Sequence, residues 1–108
     1  MAHYAENRKA RFNYEILEKY ETGIELLGTE VKSVRGGQMS LEGAFVIVRG
    51  GEAYLINANI SPYQPKNAPK DYDPLRNRKL LLTKKEIATL TGSEKNKSLT
   101  IVPISVYN

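Results

Sequence analysis

The chain has no cysteine and no tryptophan, and it has a single histidine, His3. The first absence excludes a disulfide framework, thiolate metal sites and cysteine nucleophiles. With His3 as the only imidazole, a catalytic triad has almost no base that works near neutral pH. No apolar run reaches the ~18 residues of a membrane span, and residues 1–11 lack an apolar segment behind their charges, so neither a span nor a secretory signal is expected. A cytoplasmic chain follows as the default. At 108 residues there is room for one domain with a modest core.

What is present is positive charge. Sixteen Lys and Arg against twelve Asp and Glu leave a net charge of +4, which favours polyanionic partners. Its distribution says more. Residues 65–85 hold Lys66, Lys70, Arg76, Arg78, Lys79, Lys84 and Lys85 against only Asp71 and Asp73, and Arg8, Lys9 and Arg11 form a second cluster. Seven tyrosines and two phenylalanines offer rings that could stack on unpaired bases. Tyr14, Phe45 and Tyr54 sit where a core role competes with stacking, whereas Tyr63 and Tyr72 lie in a loop.

Alternation at Phe12, Tyr14 and Ile16, resuming at Ile24, predicts one strand over 12–27, bent or bulged at Gly23. Leu27, Val31 and Val34 at helical spacing predict a short helix capped by Thr29 and stopped at Gly36-Gly37, with Lys32 and Arg35 on its polar face. Two apolar runs, 44–48 and 53–56, flank Arg49-Gly50-Gly51-Glu52 and predict a hairpin. Residues 61–74, with four prolines, form a loop long enough to count as a candidate site. Thr83-Lys84-Lys85-Glu86 predicts a capping box and a helix ending at Gly92. A last strand over 99–106 is expected to bulge at Pro103. The sum is a mainly β fold: an antiparallel sheet curled into a partly open barrel with short peripheral helices. Residues 1–11 are expected to form a flexible basic arm of this single domain.

Enzyme chemistry has thin support. Asp71-x-Asp73 could hold a divalent ion, but Pro74 follows and no third acid stands near, so a turn is the better reading. Glu21, Glu25 and Glu30 could supply a carboxylate pair, yet exposed surface glutamates are commoner. No phosphate-cradling glycine loop appears. No cofactor, metal or small-molecule substrate is expected.

Five segments occur in a familiar order: Asn7-Arg8-Lys9-Ala10-Arg11, Tyr20-Glu21-Thr22-Gly23-Ile24, Gly28-Thr29-Glu30-Val31-Lys32-Ser33-Val34-Arg35, Gly51-Glu52-Ala53-Tyr54-Leu55 and Arg76-Asn77-Arg78-Lys79-Leu80-Leu81-Leu82. In these the chain closely resembles the bacterial SsrA-binding (small protein B) family, over about residues 7–106. The resemblance implies a barrel of oligonucleotide-binding type. It also implies that the protein binds the tRNA-like domain of transfer-messenger RNA around its elbow and D-loop and assists its delivery to stalled ribosomes in trans-translation. Carried over by motif, the RNA-binding residues are Asn7, Lys9, Arg11, Glu21, Lys32, Arg35, Arg78, Lys79 and Leu81, with Thr83 where the family usually has Asn or His. Gln38 stands where a Lys is common. The resemblance further implies strands and a basic tail beyond the position of Asn108; without them, RNA binding is expected but not peptide tagging. The competing readings are a general single-strand-binding barrel and a small metal-dependent nuclease.

Overall fold

A computed structural model describes residues 3–64, 66, 69–95 and 99–107, with Arg11 and Asn13 described by their backbone alone. The elements, in chain order, are β1 (His3–Glu6), α1 (Arg8–Asn13), α2 (Gly28–Arg35), β2 (Met39–Ser40), β3 (Phe45–Arg49), β4 (Glu52–Ile56), β5 (Asn59–Ile60), β6 (Arg78–Leu80), α3 (Lys84–Glu94) and β7 (Ser105–Tyr107).

The hairpin is as expected. Gly50 and Gly51, at φ 58° and 75°, make the two-residue turn whose twist suits paired strands, with Arg49 opposite Glu52 and Phe45 opposite Ile56. β4 also pairs with β6, giving a three-stranded antiparallel sheet in the order β3-β4-β6. β1 pairs with β7, and β2 with β5, as two separate two-stranded sheets. The fold is thus mainly β with short helices, but these sheets do not close into a barrel. Strands of two or three residues make too few ladder bonds to carry pairing around a full circle. Val34, Leu41, Val48, Leu55, Ile60, Leu80, Ile87 and Leu90 meet in one core beneath α2 and α3.

Several expectations are corrected. No strand spans 12–27: α1 takes residues up to Asn13, and within 14–27 the one ladder contact is an isolated bridge from Ile24 to Leu80. Alternation prepares a strand but cannot supply the neighbour whose amides it needs, and Phe12 is left 91% exposed. Of the basic arm expected over 1–11, Met1 and Ala2 lie outside the described residues, and from His3 onward the chain is paired, because β1 lies on β7 and Asn7 fastens the start of α1. The Asn7 backbone N–H donates to the Ile104 carbonyl at 2.7 Å, its side chain donates to the Pro103 carbonyl at 3.0 Å, and its Oδ1 accepts from Ala10 N–H at 3.3 Å.

Thr29 does not cap α2. Leu27 is the N-cap, and Glu30 three residues on accepts its backbone N–H at 2.8 Å. Gly36 closes that helix as expected, with Gly37 at φ 77° behind it. The Thr83 and Glu86 capping box is present, but α3 runs through Gly92 to Glu94. Glu94 accepts from Val48 N–H at 2.6 Å and from Arg49 Nη1 at 3.1 Å, and this tie to the hairpin holds the last turn. The final strand is shorter than expected, with β7 starting only at Ser105. Ile101 nevertheless accepts a backbone bond from Val46 at 2.9 Å.

Candidate nucleic-acid interface

The strand β6 sorts the basic motif. Successive side chains of a strand point to opposite faces, and Leu80 is in the core, so Arg78 faces inward and Lys79 outward. Arg78 is 0% exposed. Its guanidinium donates Nε and Nη2 to Glu30 at 3.0 and 2.5 Å, and Nη1 to the carbonyls of Ala58 and Pro74 at 2.7 and 3.1 Å. Arg76 makes a second paired contact to the same carboxylate. The Tyr72 hydroxyl donates to the Ile60 carbonyl at 2.8 Å and lies 3.1 Å from Glu30.

Burial would by itself raise the Glu30 carboxyl. The hydrogen bonds from Arg76, from the Leu27 backbone and from Arg78 outweigh it and hold the pKa down at about 2. Burial, followed by the Glu30 charge, pushes the Tyr72 hydroxyl up. This cluster locks α2 to β6 and to the loop 61–74. Arg78, expected as an RNA contact, therefore has no atom free to reach a phosphate, and Asn7, buried and fully engaged, likewise holds structure together. Glu30 is neither half of a carboxylate pair nor the exposed glutamate the sequence favours, and its spacing to the buried Ser33 and Val34 is that of one helix face.

The outward row continues from Lys79 to Leu81, which is 56% exposed, and to Thr83. The segment before α2 is laid against this row by backbone bonds. Glu25 N–H donates to the Lys79 carbonyl and Leu81 N–H to the Gly23 carbonyl, both at 2.9 Å. A Cβ on Gly23 would stand 3.1 Å from Leu81 Cδ1, close enough that the exposed leucine would have to shift slightly to make room. Glu21, exposed two residues earlier, is the neighbour that pushes the Tyr107 phenol up from its ordinary value. Leu81 thus lies against Gly23, two residues past Glu21, and Tyr107 is an unforeseen neighbour of Glu21. Thr83 keeps its hydroxyl on Glu86 N–H at 3.2 Å.

The other basic candidates are dispersed. Lys32 and Arg35 are exposed on α2, with Lys32 Nζ 5.6 Å from the centre of the Tyr63 ring. Lys9 pairs with Glu42 at 2.5 Å, both exposed, and lowers that carboxyl's pKa. Lys79 pairs with Glu52 at 3.2 Å. The Arg11 side chain lies outside what is described. Asp73 makes the expected turn, accepting from Leu75 and Arg76 N–H. Among the described residues no three His, Asp or Glu side chains gather in a way that could hold a metal ion, and no helix is long and apolar enough to cross a membrane.

Residues 4–108 match the SmpB protein family, and the chain belongs to that family. It is 55% identical over 103 residues to the SsrA-binding protein of Synechococcus elongatus, covering 95% of this chain and 67% of that protein. With the SsrA-binding protein of Latilactobacillus sakei the identity is 56% over 103 residues, covering 95% of this chain and 65% of that one. The chain therefore spans about two thirds of the length of these relatives. A solved structure described as "tmRNA-SmpB: a journey to the center of the bacterial ribosome" superposes with a TM-score of 0.76 at 51% identity, over 94% of this chain and 71% of that one.

Proposed function

We propose that this chain binds the tRNA-like domain of transfer-messenger RNA, around its elbow and D-loop, and assists its delivery to stalled ribosomes in trans-translation. It acts as a binding protein rather than an enzyme, in the bacterial cytoplasm where ribosomes work. The observation that carries this reading is the seam: strand parity turns Lys79, Leu81 and Thr83 outward and backbone bonds bring the Glu21 segment beside them. Membership in the SmpB family supports the partner. We read the arrangement as an opened barrel of oligonucleotide-binding type, since Val46 to Ile101 and Ile24 to Leu80 link the three-stranded sheet to neighbouring segments on both edges.

On this reading Glu21 accepts from base or ribose donors, Leu81 packs on an exposed base or sugar, and Lys9, Arg11, Lys32, Arg35 and Lys79 contact phosphates. Asn7 and Arg78 act through the groups they position. A gel shift with a folded tRNA-like RNA and with an unstructured strand, with and without magnesium, tests this. Preference for the folded RNA is expected. Preference for the unstructured strand would favour a general single-strand binder, and magnesium-dependent cleavage would favour a nuclease.

A further inference from the structure

Between the first turns of α2 and the loop 61–74 lies a cavity of about 80 Å³, open to solvent on one side, with Ser33, Pro62, Tyr63, Pro69 and Tyr72 in its walls. Ser33 is 1% exposed, and its hydroxyl has no hydrogen-bond partner. Helical serines and threonines ordinarily return such a hydroxyl to a carbonyl of the preceding turn. In α3, Thr89, Thr91 and Ser93 all do so, to Lys85, Ile87 and Thr89. Ser33 does not, and an unpaired buried hydroxyl costs stability. Ser33 thus brings an unpaired, almost fully shielded hydroxyl to the edge of a cavity whose walls include two prolines and the Tyr63 ring.

Charges of both signs stand around it, Asp71 and Asp73 being exposed on the loop as well. Lys32 stands over Tyr63, Lys66 and Lys70 are exposed on the same loop, and Glu30 in the wall is outnumbered by the two arginines that hold it. A cavity of about 150 Å³ encloses a whole benzene ring, so this one admits the edge of a ring rather than all of it. We propose that it receives one unpaired base of the bound RNA, with the ring edge at Ser33 Oγ, a face against Tyr63, and the adjoining phosphate at Lys32. The proposal rests on the RNA-binding reading and adds a second contact to it, on the α2 side of the molecule.

The test uses nuclear magnetic resonance of the chain with adenosine 5′-monophosphate and, separately, ribose 5-phosphate. The nucleotide should shift the resonances of Ser33, Tyr63 and Tyr72, whereas the sugar phosphate should not. Tyr63→Ala should weaken binding of the tRNA-like RNA about 5- to 100-fold, the range for losing one stacked base. Ser33→Ala should reduce the nucleotide response while Tm stays level or rises, because the orphaned hydroxyl is gone. Equal shifts from ribose 5-phosphate would overturn the base pocket in favour of simple phosphate attraction. So would unchanged RNA affinity in both variants while the unaltered chain binds. Failure of the unaltered chain to bind RNA, with the nucleotide shifts intact, would instead overturn the RNA occupant and the functional reading with it.

Discussion

The stretch from Arg76 to Thr83 feeds two regions of opposite character. Arg76 and Arg78 turn toward Glu30 and Tyr72 and build a buried ionic lock. Lys79, Leu81 and Thr83 turn the other way and form the open seam with the Glu21 segment. In the lock, every charge is committed to another within the protein, and removing the partner of Glu30 or Arg78 strands a charge away from water. In the seam, the charges are at most loosely paired and close to solvent, where an ion pair is worth little to stability. Basic and acidic side chains thus hold the fold in one place and lie open to solvent in the other. Burial decides which.

The largest break of this contrast is Glu30→Ala, which leaves Arg76 and Arg78 without their carboxylate and should cost about 3–5 kcal/mol of stability, read by urea denaturation. Arg78→Lys should also destabilise, since an ammonium cannot make the forked contact to Glu30 while reaching two carbonyls. If either variant keeps the parent's stability, the lock is not what joins α2 to β6.

Next comes pH. The Glu30 carboxyl is held at about 2 in the folded chain against an ordinary value of 4.5, so the unfolded chain takes up the proton first. Its contribution, about 3 kcal/mol, is complete above pH 4.5 and is lost as pH falls toward 2. Denaturation curves across that window should show the loss, and Glu30→Gln should remove that part of the acid dependence. An unchanged acid profile in Glu30→Gln would assign it to other carboxyls.

A smaller effect is expected at the seam. Glu21→Ala should weaken binding of tRNA-like RNA by about 1–3 kcal/mol with little change in Tm. Simple charge repulsion requires the opposite sign, so tighter binding would remove Glu21 from the interface. The smallest is Lys79→Ala, which should lower the slope of log affinity against log salt by about 0.7–0.9 while costing at most about 1 kcal/mol of stability through its ion pair with Glu52. An unchanged salt slope would place Lys79 away from phosphate.

The hairpin, the α2 stop at Gly36-Gly37 and the start of α3 were legible in the sequence because each depends on neighbours along the chain: two glycines that accept positive φ, a glycine pair that ends a helix, a threonine and a glutamate at capping distance. The inward turn of Arg78 was also legible in principle, since it shares the parity of Leu80, but a basic motif read as a block hides that alternation. The family motifs carried Glu21, Leu81 and Thr83 as one expected cluster, whereas residue spacing alone could not bring the segment before α2 to the leucines.

Tertiary structure alone settled the rest. The alternation at 12–16 met no neighbouring strand, so its amides and side chains could not be used as a sheet uses them. Gly92 stayed helical because Glu94 is tied to a hairpin more than forty residues earlier in the chain. Glu30 became the hub of a buried ion cluster rather than a surface charge because α2 is packed against the loop 61–74. Local sequence determines turns and caps, whose bonds close within a few residues. Whether a charge is buried or free depends on which distant segment covers it, and only the folded chain makes that choice.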